Sequence, residues 1–361
     1  MATQNPTMHP RTRIISKYLV AVLLIALLLE AGLLWLFGRI PQAQTFLPLR
    51  VVSDPAIYDW SPDEAPNWFH FDDPTVAEVA YFREAVQPPV DASTSTFEQY
   101  LAVMDWVRRQ AVVADSTQAI PGDPIAVHQA MLAGIPAQCG NFSTLYVAAS
   151  TSVGLPFIRV WHFSSADDWN HYGHVVNEVW VPELSRWVML DPMNNAYVLV
   201  DGEPGSVTVV REALLTGQRS RLELVVGPNA HTSSDTLLNL YEGTMPVVRM
   251  EAAHTPLHDY YYESWTDQLV GALPEIGGLP HLADRAFTLV SGRALHVTLI
   301  DDLSGEASHR LPIREAKAVF GGIVGVAVVI LLDCMWLTGL GIRRLLLRGV
   351  GKRAPHLPAN P

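Results

Sequence analysis

Two long apolar runs, one near each end of the 361-residue chain, decide most of what it can fold into. The first spans Tyr18 to Gly38 and carries one charge, Glu30; the second spans Val319 to Ile342 and carries one charge, Asp333. Each is long enough to cross a hydrocarbon core of about 30 Å at about 1.5 Å per residue. The first run is too long for a signal-peptide core, and no small-x-small cleavage site follows Arg39, so it reads as an uncleaved anchor. The tails are basic and hold no acid: Arg11, Arg13 and Lys17 before the first run, Arg343, Arg344, Arg348, Lys352 and Arg353 after the second. Arg310, Arg314 and Lys317 on the other flank weaken this contrast without reversing it. Cytoplasmic loops favour Lys and Arg, so both tails are expected in the cytoplasm and the segment between the runs outside it. The pattern suits a two-pass protein of a plasma (inner) membrane.

The domain plan follows: tail 1–17, span 18–38, stalk 39–93, folded domain 94–205, extension 206–318, span 319–342 and basic tail 343–361. Of the 24 basic residues 8 sit in the tails, leaving 16 between the runs against 34 of the 36 acids, an excess of 18 negative charges. Such a surface repels nucleic acid and other polyanions. Its partners are instead the lipid bilayer and a substrate outside the cytoplasm. Glu30 and Asp333 are costly in lipid unless paired or protonated, and either could meet a partner membrane protein.

Pro41, Pro48, Pro55, Pro62, Pro66, Pro74, Pro88 and Pro89 punctuate the stalk, which reads as extended chain that packs through Trp60, Trp68, Phe69 and Phe71. Regular structure is expected to begin at Ser95, where Ser95 and Glu98 fit a capping box ahead of Phe97, Tyr100, Leu101, Met104 and Val107. A second helix starts at Asp123-Pro124 and stops at Gly134. A third follows Cys139, with Phe142, Leu145, Tyr146, Ala149 and Val153 on one stripe, and ends at Gly154 and Pro156. The period then changes to two, giving strands at Phe157–Phe163, His174–Val181 and Trp187–Asp191. Ala196–Val200 and Ala294–Ile300 read as further strands and Val207–Leu215 as a short helix. Helices followed by an antiparallel sheet make this an α+β domain.

The chain has two cysteines, and a disulfide between them is excluded because Cys334 lies inside the second span. A lone exported thiol at Cys139 is either buried and inert or kept for its chemistry. Its place at a helix start favours the thiolate, the nucleophilic form. If Pro182–Ser185 is the hairpin loop, then Trp180 faces Trp187 and Val176 faces Asp191. His174 and Asp191 then become diagonal neighbours on one sheet face, and a one-residue slip would separate them. A carboxylate there fixes an imidazole tautomer and stabilises imidazolium. His162, Asp167, Asp168, His171 and His174 also lie close in sequence, but without paired ligand spacing such as His-x-x-x-His, so no metal is assigned.

The stretch from about Ile125 to Val198 resembles a transglutaminase-like (papain-like cysteine) domain. The resemblance rests on Gly-Ile-Pro-Ala-Gln-Cys139-Gly-Asn-Phe-Ser, Gly154-Leu-Pro-Phe-Ile-Arg-Val, Gly173-His174-Val-Val-Asn-Glu-Val-Trp180 and Trp187-Val-Met-Leu-Asp191-Pro192. It implies a papain-like core of helices packed on an antiparallel sheet, here between two transmembrane helices. It also implies Cys139 as nucleophile, His174 as general base and acid, Asp191 as orienter, and a thioester intermediate resolved by water or an amine. The backbone N–H of Cys139 is the natural first oxyanion donor, with Gln138 or Trp106 as candidates for the second. Asp168, Trp169 and Asn170 are candidates for the wall of the substrate cleft. The expected activity is acyl transfer from peptide or glutamine-like amides without a cofactor, by hydrolysis or transamidation. The rival reading is a catalytically silent, membrane-tethered binding or scaffold module on the same fold.

Overall fold

The computed structural model describes residues 10–40, 49–52, 54–66, 69–111, 120, 123–165, 173–230, 232–251, 296–300 and 307–350. The chain divides into two compact units, residues 1–47 with 311–361 and residues 48–310.

The first unit is a helix pair, α1 (Pro10–Arg39) and a long helix from Ala307 to Val350. Within them Lys17–Arg39 and Arg314–Leu340 are long and apolar enough to span a bilayer. Phe37 meets Phe320 with ring centroids 6.0 Å apart. Leu24, Ile25, Leu28, Trp35, Leu331 and Trp336 point outward, an exterior suited to lipid. Asp333 is buried and Glu30 half-buried.

In the second unit one short strand precedes a run of four helices: α2 (Val76–Asp91), α3 (Thr96–Arg108), α4 (Pro124–Leu132) and α5 (Cys139–Ser152). Helix α2 falls in the segment expected to be an extended stalk. Thr75 and Glu78 form a reciprocal capping box, and Phe82, Val86 and Val90 line one buried face. Pro88 and Pro89 sit in the last turn, where the helix is already ending, so they terminate it without breaking it. At α3 the cap is shifted by one residue: Ser95 accepts from the Glu98 N–H, but the Glu98 carboxylate turns back to Thr94 N and Oγ1 at 2.7 and 2.5 Å. Asp123 caps α4 through Ala126 N at 2.8 Å, with Pro124 in the first turn.

The described strands form one nine-stranded sheet. They are β1 (Leu49–Val52), β2 (Ile158–Ser164), β3 (His174–Val181), β4 (Arg186–Asp191), β5 (Ala196–Val200), β6 (Glu203–Pro204), β7 (Leu222–Val226), β8 (Val247–Glu251) and β9 (His296–Ile300). The order is β1-β9-β8-β2-β3-β4-β5-β6, with β7 also on β5. All pairs are antiparallel except β1 with β9. Helix α6 (Val207–Leu215) precedes β7, and α7 (Ser234–Thr244) precedes β8.

Both faces of the central strands are covered, which is why β3 and β4 are buried almost throughout. On one face Val175, Val179, Val188 and Leu190 join Phe82, Tyr100, Phe142 and Tyr146 of the helices. On the other, Val176, Trp187 and Met189 join Trp161, Leu237, Tyr241 and the incoming Tyr58 and Trp60. Arg159 lies on this second face with its guanidinium carbon 3.7 Å from the ring centroids of both Trp60 and Trp187. It pairs with Glu178 at 3.2 Å and donates to the Trp60 carbonyl at 3.1 Å. Thus part of the expected stalk is clamped to the sheet by a buried cation between two indoles.

Candidate active site

Helix α5 begins at Cys139, with Gln138 at the N-cap in extended conformation. Asn141 fixes this start. Its Oδ1 accepts from Gln138 N at 3.2 Å and from Ile120 N at 3.1 Å, while its Nδ2 donates to Ile120 O at 2.9 Å. The thiol therefore sits at the positive end of a 14-residue helix. Cys139 is half-buried, Cys334 in the apolar helix is exposed, and neither is in a disulfide.

The β3–β4 hairpin has the register expected from its loop. Trp180 pairs with Trp187, Val181 with Arg186 and Asn177 with Leu190. Pro182–Leu184 makes one 3-10 turn, and Ser185 closes it at φ 50°. Two-residue alternation then puts His174 and Asp191 on one face. His174 Nε2 lies 2.6 Å from Asp191 Oδ2. The other ring nitrogen is left for Cys139, whose sulfur is hydrogen-bonded to His174 and to the Val175 backbone N–H. With Nε2–H donated to the carboxylate, Nδ1 is free to take the thiol proton.

Asp191 is fully buried and closely held. Its Oδ2 accepts from His174, from Tyr241 Oη at 2.7 Å and from Asn194 Nδ2 at 2.9 Å, and its Oδ1 accepts from Asn194 N at 3.0 Å. Asn194 is legible after the fact, since Asp-Pro-Met-Asn is a turn in which an Asp side chain caps the residue three on. Tyr241 had no signal: it lies on α7, far along the chain, in a stretch where the sequence offers no motif.

Burial raises the Cys139 thiol, but the His174 hydrogen bond and charge outweigh this and lower it below its ordinary value. Burial pulls His174 down, and the Asp191 charge and hydrogen bond outweigh it, pushing the imidazole up to about 10. Burial likewise raises Asp191, yet His174, Asn194 and Tyr241 hold it below the usual carboxylate value. All three directions favour a thiolate, an imidazolium and a carboxylate in a row.

The remaining expected site residues fare differently. Gln138 adjoins the thiol. Trp106 instead packs its ring against His128 and Phe82, at 5.3 and 6.3 Å, and no described contact links it to Cys139. It is half-buried and packs with the core on the helix side of the sheet. Asp168, Trp169 and Asn170 lie outside the described residues. Among the described residues no three His, Cys, Asp or Glu side chains group as metal ligands. A cavity of about 900 Å³ opens on the sheet face floored by Trp60, Arg159, Glu178 and Trp187, but none of Cys139, His174 and Asp191 lines it. The hydrogen-bonded geometry, not the cavity, marks the candidate reaction centre.

The transglutaminase-like superfamily model matches residues 83–192. No curated protein matches the chain. A solved structure of a candidate cysteine protease from Cytophaga hutchinsonii is similar over 39% of this chain and 45% of its own, at 14% identity and TM-score 0.28, a likeness too slight to carry an argument. The matched residues contain the helix start at Cys139 and the hairpin from His174 to Asp191: residues 83–192 are a transglutaminase-like domain.

Proposed function

We propose that the chain is a membrane-tethered thiol acyl-transfer enzyme working outside the cytoplasm, with Cys139 as nucleophile, His174 as base and acid, and Asp191 as orienter. The observation that supports it best is the buried 2.6 Å His174–Asp191 hydrogen bond beside a thiol at a helix N-terminus. In this reading the Cys139 sulfur attacks an amide carbonyl carbon, with its proton already on His174. The tetrahedral oxyanion is met by the Cys139 N–H, with the Gln138 side chain as second donor. The C–N bond breaks and the imidazolium proton goes to the leaving amine, leaving a thioester. Water then gives a proton to His174 as it attacks, the C–S bond breaks, and the thiolate–imidazolium pair is restored. An amine in place of water would give transamidation by the same residues; water is the default acceptor where no amine site is identified. The substrate is a peptide or glutamine-like amide outside the membrane, and the basic tails keep both termini inside.

The ionisation order tests the reading. A thiolate next to imidazolium exists between the lowered pKa of Cys139 and the raised pKa of His174. The reading places neutral pH inside that window, so iodoacetamide should alkylate Cys139 at pH 7 faster than it alkylates a free cysteine peptide. In His174→Ala the thiol loses the partner that lowered it, so labelling at pH 7 should slow by about tenfold or more and rise with pH. Wild-type labelling no faster than a free cysteine peptide would favour the silent scaffold.

A further inference from the structure

We propose that helix α7 is part of the reaction centre, with Tyr241 as a positioning residue that limits how tightly Asp191 holds the proton on His174. This rests on the Cys139–His174–Asp191 reading above. The helix lies outside residues 83–192, so nothing in the family match assigns it a role.

Three observations converge. The Tyr241 hydroxyl, fully buried, donates at 2.7 Å to Oδ2 of Asp191, the same oxygen that accepts the His174 proton at 2.6 Å. The Tyr241 ring lies 6.0 Å from the His174 ring and edge-on to Phe163 at 6.2 Å, so it walls the imidazole on this sheet face. The end of α7 is also held to the strand that carries His174. Thr244 occupies the space a Cβ on Gly173 would need, and Arg211 ties the next turn down by donating to Met245 O at 2.9 Å and Pro246 O at 2.8 Å.

The chemistry follows from sharing one oxygen. A buried carboxylate facing only an imidazole would hold the imidazolium so firmly that the ring would release its proton poorly to a leaving amine. Each further donor on Oδ2 spreads the negative charge and weakens that hold. Tyr241 stays a donor throughout, because burial and the Asp191 charge push its phenol well above its ordinary value. Among the described residues, the charged or titratable groups meeting His174 are Asp191 from β4, Cys139 from α5 and Tyr241 from α7. His162 of β2 is in register with Val175 and with Arg249 of β8, which puts both on the opposite sheet face.

The test uses the full chain in detergent and two alkylating probes. Iodoacetate is anionic and is drawn by the imidazolium; iodoacetamide is neutral. The ratio of their rates at Cys139, followed by intact mass from pH 6 to 11.5, falls as His174 loses its proton. In Tyr241→Phe, which keeps the ring, that fall should move up by about one pH unit, because one donor fewer shares the charge of Asp191 Oδ2 with His174. Asn194→Ala removes another donor from the same oxygen and should move it the same way. A fall that stays put or moves down in both variants overturns the proposal, since it would mean that the phenol only steadies the ring. A wild-type ratio that is already low at pH 6, with no cation beside the sulfur, would sink the thiolate–imidazolium reading itself, and this proposal with it.

Discussion

His174→Ala should slow acylation of the protein by p-nitrophenyl acetate about a thousandfold or more at pH 7. Two losses combine. The thiolate loses the imidazolium that holds it ionised in a half-buried site, and the thiol left behind loses the base that takes its proton. General acid–base catalysis alone is worth roughly 10²–10⁴-fold. Nitrophenolate release measured under saturating ester checks it. A loss under tenfold would mean that the ring does not serve the thiol. The fold should survive, because Asp191 keeps Tyr241 and both Asn194 donors when the imidazole is gone.

The largest stability effect is expected far from the thiol. Glu178→Ala should cost about 3–5 kcal/mol, because it leaves a buried guanidinium without its counter-ion. Arg159 is 2% exposed, and burial brings it down to about 10, with Glu178 pulling the other way, so it is charged at neutral pH. The same carboxylate also accepts from Trp161 Nε1 at 2.9 Å and from Val207 N at 2.8 Å. Three donors are therefore orphaned by one substitution. The shift in urea midpoint measures the effect, and Arg159→Met combined with Glu178→Leu should recover much of it. By contrast Arg221→Ala, which breaks an exposed pair with Asp201, should barely move the midpoint. Equal effects of Glu178→Ala and Arg221→Ala would refute the clamp.

These contrasts show what the sequence could reveal. The hairpin was legible because its loop is short, its strands alternate, and the facing Trp180 and Trp187 pin the register, so the meeting of His174 with Asp191 followed from counting. The start of α5 was legible from Gly134 and the apolar stripe after Cys139. Helix α2 was hidden because Pro88 and Pro89 suggest chain breaks, whereas the Thr75–Glu78 cap and the Phe82, Val86, Val90 stripe decide the local structure. The parallel pairing of β1 with β9 joins residues from opposite ends of the unit and leaves no local trace. Tyr241 is hidden for the same reason: its hydroxyl reaches Asp191 only because α7 folds back against β2 and β7. Arg159 reads as an ordinary strand residue until Trp60 arrives from the anchor side to cover it.

The central claim is covalent chemistry at one sulfur. Incubating the full chain with cell-envelope peptides, quenching in acid and weighing the intact protein should reveal an acyl adduct that maps to Cys139, is released by hydroxylamine, and is missing from Cys139→Ala. Peptides that are bound yet leave the wild-type mass unchanged, or an adduct that persists in Cys139→Ala, would contradict it.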